Sequence, residues 1–113
     1  MSELTIECHT ENSILIMSLT GMLDGESARQ IEKKFAELFS EENFRIIVDC
    51  AGLDYMSSAG LGALMSALQR ARDNDGDIKI LNMSETVQRL FRAVGLHQLF
   101  RIYSSKDEAL NSF

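Results

Sequence analysis

Two periods of hydrophobicity alternate along this chain. In Leu4-Thr5-Ile6-Glu7-Cys8-His9 the apolar residues fall at every second position, the mark of a half-buried strand with Thr5, Glu7 and His9 turned outward. It predicts an edge strand. After the polar Thr10-Glu11-Asn12, the run Ile14-Leu15-Ile16-Met17 is continuously apolar, as expected of a strand covered on both faces. A hairpin joins the two. From Ser27 the period lengthens: Ala28, Ile31, Phe35 and Leu38 recur at three- and four-residue spacings, with Arg29, Glu32, Lys33, Lys34 and Glu37 between them, which predicts an amphipathic helix. Its start carries two candidate caps, Asp24 and Ser27, the latter with Gln30 three residues on.

Ile46-Ile47-Val48 reads as a second fully buried strand ending at Asp49-Cys50, and the preceding helix supplies the crossover that parallel pairing needs. A second helix is expected from about Ser58, with Leu61, Leu64, Met65, Leu68 and Ala71 on its buried stripe and a stop at Asn74-Asp75-Gly76. Ile78, Ile80 and Leu81 mark a short strand. The third helix has Ser84 or Asn82 as cap and Val87, Leu90, Phe91 and Val94 as its stripe, and it closes at Gly95, where a left-handed residue costs least. Leu99 to Ile102 reads as the last strand. Ser105 with Glu108 reads as a capping box for a terminal helix carrying Ala109, Leu110 and Phe113. The alternation predicts an α/β fold with a mostly parallel central sheet of about five strands, about four helices, and an N-terminal edge strand in a hairpin.

A length of 113 residues with 45% hydrophobic residues suits one domain over residues 1–113 and a single core. No linker, low-complexity segment or repeat interrupts it. The formal net charge of -6, from 17 acids and 11 bases, leaves no basic stripe for a phosphate backbone and argues against direct nucleic-acid binding and anionic membrane surfaces. No apolar run approaches the roughly 20 residues that span a bilayer, so no membrane insertion is expected. Met1-Ser2-Glu3-Leu4 has neither a basic region nor an apolar core of a secretory signal, which favours a cytoplasmic location. Cys8 and Cys50 form no C-x-x-C pair and read as reduced, buried thiols. With His9 and His97 they offer no ligand spacing, so neither a metal nor a cofactor is expected.

The segment Leu53-Asp54-Tyr55-Met56-Ser57-Ser58-Ala59-Gly60-Leu61-Gly62 is the least ordinary part of the sequence. It crowds two serines and several small residues into a strand-to-helix turn at the carboxyl end of a parallel strand, where α/β proteins place their sites. Ser57 or Ser58 is a natural N-cap, and Ala59, Gly60, Gly62 and Ala63 are small enough to let the helix sit close on the sheet. The same helix start presents unpaired N–H groups and a positive dipole end, which suits a phosphorylated serine. Enzymatic alternatives find little to build on. Gly60-Leu61-Gly62-Ala63-Leu64-Met65 places Met65 where a dinucleotide loop needs glycine or alanine. No Walker A sequence occurs, and Ser58 lies on no G-x-S-x-G elbow.

The segment Tyr55 to Leu64 closely resembles the phosphorylation-site signature of the STAS family, the domain of bacterial anti-sigma-factor antagonists and of the cytoplasmic tails of sulphate transporters. Gly21-Met22-Leu23-Asp24 looks like the family's turn before the first helix, and Ile46-Ile47-Val48-Asp49 looks like its central strand. Val87-Gln88-Arg89-Leu90-Phe91 and Val94-Gly95-Leu96 resemble its third helix and following turn. Together these cover nearly the whole chain. By position the resemblance puts the phosphorylated serine on Ser58, two residues before Gly60. Ser57 stands where many members carry an aspartate and is the alternative acceptor.

The resemblance implies a non-enzymatic switch. Unphosphorylated, it binds an anti-sigma factor that is often a serine kinase; phosphorylation ends the contact, and a PP2C-type phosphatase restores it. The implied contact residues are Asp24, Ser57, Ser58, Gly60 and Leu61, and Asp24, Asp49 and Asp54 add repulsion to the phosphate if they share its rim. Other family members are docking subunits of lipid-transport ATPases or of signalling scaffolds, where the serine need not be modified.

Overall fold

The computed structural model describes residues 3–113, so Met1 and Ser2 of the N-terminal reading lie outside the described residues. The elements run β1 (Thr5–Glu11), β2 (Ile14–Leu23), α1 (Gly25–Ser40), β3 (Arg45–Met56), α2 (Ser58–Asp73), β4 (Asp77–Leu81), α3 (Glu85–Ala93), β5 (Ile102–Tyr103) and α4 (Lys106–Asn111). A 3-10 turn at Leu96–Gln98 lies between α3 and β5. The strands lie in chain order across one five-stranded sheet. β1 pairs antiparallel with β2, and the other three pairings are parallel. This is the expected α/β fold with an N-terminal hairpin.

Strand order explains the layering. Each parallel step moves the same way across the sheet, and right-handed crossovers then put their helices on the same face. Accordingly Ile31 and Phe35 of α1, Leu61 and Leu64 of α2, and Val87 and Phe91 of α3 share the main core with Leu15, Met17, Leu19, Ile46, Val48, Ile78 and Ile80. The alternate strand residues Ile14, Ile16, Ile47 and Leu81 turn to the opposite face, where Ala109 and Leu110 of α4 cover them. Ile14 to Met17 are all buried, as their unbroken apolar run requires. Lys79, only 3% exposed, shares that second face. Its Nζ donates to the Ser112 carbonyl at 2.7 Å and to the Ser112 hydroxyl at 2.6 Å, and sits 4.0 Å from the centre of the Phe113 ring, tying the end of α4 to β4.

Several boundaries differ from the sequence expectation. β1 continues through Thr10 and Glu11, so the hairpin turn is only Asn12-Ser13, both with positive φ. β2 extends to Leu23, which makes Gly21-Met22-Leu23 strand rather than turn, and β3 runs 12 residues to Met56 instead of ending at Cys50. Pairing of Leu23 with Met56 holds both extensions. The Leu99–Ile102 strand is corrected: Leu99 follows the 3-10 turn and is 45% exposed, and β5 has two residues. Met65 and Val94 leave the buried stripes, at 43% and 56% exposure; Met65 directly follows the buried Leu64 within α2, and Val94 lies beyond Phe91, the last buried residue of α3.

The open cap choices resolve. Asp24 caps α1, with Ser27 as its third helical residue. Ser84 caps α3 by accepting the Val87 N–H, and Gly95 is left-handed at φ 77. Ser105 caps α4 by accepting from the Glu108 N–H. Both cysteines are free; Cys50 is buried, but Cys8 is only partly so. Among the described residues no helix is long and apolar enough to cross a membrane.

Candidate functional site

The two longest strands end side by side, and that brings the sequence-predicted residues together. β2 leads into Asp24 and α1, and β3 leads into Ser57 and α2. The Ser57 N–H donates to the Leu23 carbonyl at 2.8 Å, closing the seam beyond the Leu23–Met56 pair. Asp24, Ser57 and Ser58 therefore stand on one rim. Asp49 does not: it lies seven positions before Met56, beside the end of β4 at Leu81, where it accepts from the Ala51 N–H at 3.0 Å. Asp54 is exposed near the end of β3.

The two adjacent serines have different duties. Ser57 is the N-cap of α2: its backbone is extended, its Oγ accepts the Gly60 N–H at 3.2 Å, and its carbonyl accepts the Leu61 N–H at 3.0 Å. That leaves the N–H groups of Ser58 and Ala59 ahead of the first intrahelical bond. Ser58 is the first residue of α2, is exposed, and among the described residues its hydroxyl makes no hydrogen bond. Ser57 is structurally committed, and Ser58 is free.

Small residues in the first turns of α2 also divide. A Cβ on Gly60 would lie 2.6 Å from Leu23 Cγ, 2.9 Å from its Cδ2 and 3.2 Å from its carbonyl oxygen. Gly60 is therefore what lets α2 start against the end of β2. Leu61 beside it is buried in the main core. Neither presents a side chain at the surface; both support the rim from below. Ala59 and Gly62, expected to be small for packing, are instead exposed, and among the described residues a Cβ on Gly62 would meet nothing within 4 Å. Gly62 lies one helical turn beyond Ser58.

Across the rim, Asp24 Oδ1 accepts from the Ser27 N–H at 2.9 Å, the Glu26 N–H at 3.1 Å and, alternately with the Met22 carbonyl, the Ser27 hydroxyl. The Asp24 N–H donates back to Ser27 Oγ at 2.8 Å, completing a capping box. Chiefly through the Ser27 N–H, these bonds hold the Asp24 carboxyl below the usual aspartate range. The rim thus carries a fixed negative charge.

Behind Ser58 opens a groove of about 420 Å³ between the end of β3 and α3. Tyr55, Met56, Ser57 and Ser58 form one wall, and Thr86, Val87, Arg89, Leu90 and Ala93 form the other. Its surface is mainly apolar, and Tyr55 is 45% exposed. Local sequence gives no sign of the α3 side, Arg89 included, because nothing in it ties residues 86–93 to Ser58. Among the described residues no group of three or more His, Cys, Asp or Glu side chains is placed to hold a metal.

Comparison with known proteins agrees with this architecture. The STAS domain family profile matches residues 5–109. The anti-sigma-B factor antagonist of Staphylococcus epidermidis is 30% identical over 99 residues, which is 88% of this chain and 92% of that protein. Among solved structures, an anti-sigma factor antagonist from Mycobacterium paratuberculosis superposes with a TM-score of 0.88 at 18% identity, covering 97% of this chain and 93% of the other. The Bacillus cell fate determinant SpoIIAA, solved in its phosphorylated form, gives 0.74 at 22% identity over 97% and 98%. From the family match and the fold together, the chain belongs to the STAS domain family, with homologues that are anti-sigma factor antagonists.

Proposed function

We propose that this chain is an anti-sigma factor antagonist switched by phosphorylation of Ser58. Unphosphorylated, it binds an anti-sigma factor that is also a serine kinase and so frees a sigma factor in the cytoplasm. The kinase then transfers the γ-phosphoryl group of ATP to the Ser58 hydroxyl, releasing ADP and the hydroxyl proton, the complex parts, and a PP2C-type phosphatase hydrolyses the phosphoserine to inorganic phosphate and restores the binding form. The chain supplies only the acceptor.

The observation that carries this reading is the division of labour between the serines. Capping by Ser57 leaves the exposed Ser58 hydroxyl with no structural duty, so modifying it costs the fold little. The helix start beside it tolerates a group of about -1.5 to -2 charges, whereas a partner packed on the rim does not, least of all beside the ionised Asp24. In this reading Asp24, Ser57 and Ser58 touch the partner, and Gly60 and Leu61 hold them in shape. The exposed Gly62 supports it too. Glycine inside a helix costs about 1 kcal/mol relative to alanine, and among the described residues no atom lies within 4 Å of where a Gly62 Cβ would stand, as expected where a partner backbone comes close.

The test is chemical. Affinity purification with Ser58→Ala as bait recovers the kinase partner, and wild-type protein is then incubated with that kinase and ATP before intact-mass measurement and peptide mapping. One phosphate on Ser58, absent from Ser58→Ala, is expected. Phosphate found only on another serine refutes the assignment. Asp24→Asn keeps a capping oxygen but loses the charge, so weakened pull-down of the partner marks Asp24 as a contact, and full retention marks it as a cap alone.

A further inference from the structure

α3 contributes one charged side chain to the groove behind Ser58, and it is a cation. Arg89 is exposed, and among the described residues it enters no ion pair or hydrogen bond, although Glu85 stands one turn earlier on the same helix. No carboxylate lines the groove among the described residues; Asp54 and Glu85, which adjoin the lining residues Tyr55 and Thr86 in sequence, lie outside its lining. In a protein of net charge -6, an unpaired guanidinium in a mainly apolar groove, on the wall facing a free serine hydroxyl, is a distinctive placement. A guanidinium matches phosphate geometry by presenting two parallel N–H donors.

We propose that Arg89 is the internal receptor of the Ser58 phosphate. The phosphoryl group is held between the start of α2 and the guanidinium on α3, and it roofs the apolar groove lined by Tyr55, Leu90 and Ala93. The switch then has two components, an added charge at the rim and a groove closed from within. Arg89 is a positioning residue in this account: it receives the phosphate and takes no part in its transfer. Resting on Ser58 as the modified residue, the proposal deepens that reading by naming what holds the phosphate.

The test uses full-length protein with phosphoserine placed at position 58 during synthesis, so that Arg89 is examined whether or not any kinase selects Ser58. The second ionisation of the phosphate, ordinarily near pH 6, is followed by 31P NMR in the wild type, Arg89→Ala, Arg89→Lys and Arg92→Ala. Groups that bear on it in every variant are the α2 N-terminus, Asp24, Asp54 and Glu85, so the comparison isolates the cation. An opposite charge in contact favours the dianion. Arg89→Ala should raise the midpoint by roughly half a pH unit or more, and Arg89→Lys by less, with the difference shrinking at high salt. Arg92→Ala, outside the groove lining, should titrate as the wild type does. Equal midpoints for wild type and Arg89→Ala overturn the proposal, as does an equal displacement by Arg92→Ala. Failure of kinase mapping on Ser58 would instead strike the reading beneath it.

Discussion

Two glycines in the first turns of α2 should respond to the same substitution with opposite signs. In Gly60→Ala the new methyl meets Leu23 Cγ at 2.6 Å and Cδ2 at 2.9 Å, with the Leu23 carbonyl at 3.2 Å. Leu23 cannot turn aside, because its side chain is fully buried and its carbonyl accepts the Ser57 N–H. Overpacking of this kind costs about 1–3 kcal/mol. Alanine recovers up to about 1 kcal/mol through helix propensity, and less at this third helical position. The net loss is about 1–2 kcal/mol. Gly62→Ala meets nothing, so only the propensity gain remains, about 0.5–1 kcal/mol. The variants should therefore differ by about 2 kcal/mol, roughly thirtyfold in folding equilibrium. Urea unfolding followed by circular dichroism reads this directly: with a slope of about 1.5 kcal/mol/M, the Gly60→Ala midpoint falls by about 1 M and the Gly62→Ala midpoint rises by about 0.5 M. A stabilised Gly60→Ala would refute the claim that this glycine is needed for the approach of α2 to β2.

Three further outcomes follow from the same geometry. Ser57→Ala removes the α2 cap and should cost about 1 kcal/mol, while Ser58→Ala should stay within about 0.5 kcal/mol of wild type; denaturant titration of both separates the capping serine from the free one. Asp24 is an acid whose folded pKa is depressed, chiefly by the Ser27 N–H, so its stabilising effect is complete above the unfolded aspartate pKa and is lost as pH falls through the lower folded value. Acid unfolding of Asp24→Asn should lack that step, and an unchanged profile would contradict the capping account. Burial pushes the Cys50 thiol up to about 12, with Asp49 adding to the effect, leaving roughly one thiolate in 10,000 at pH 8. A thiol reagent should label the half-buried Cys8 in native protein and Cys50 only on unfolding.

Much of the fold was legible in the sequence, because continuous apolar runs and helical stripes state burial directly. Ile14–Met17 and Ile46–Val48 are buried on both faces as read. The sequence signal failed where burial is one-sided. Thr20, Asp54 and Tyr55 interrupt the apolar pattern in the outer halves of β2 and β3, where the strands hold each other by backbone pairing, which carries no residue code. β5 shrank because Leu99 is apolar yet exposed, and exposed apolar residues are ordinary. At the site, small residues beside two serines marked a helix start, and family resemblance singled out Ser58. Only geometry separates the duties of Ser57 and Ser58, or of Gly60 and Gly62. The Arg89 wall joins residues about thirty positions apart in the chain, a proximity that arises from the β3–α2–β4–α3 crossover and from no local pattern.

The central claim is that a phosphate on Ser58 abolishes the grip of a partner on this rim. Its most direct measurement is the dissociation constant for the anti-sigma factor recovered with Ser58→Ala, taken with unmodified protein and with protein carrying phosphoserine at 58. A penalty of about 3 kcal/mol predicts a dissociation constant more than a hundredfold larger for the phosphorylated form; equal affinities for the two forms would contradict the account.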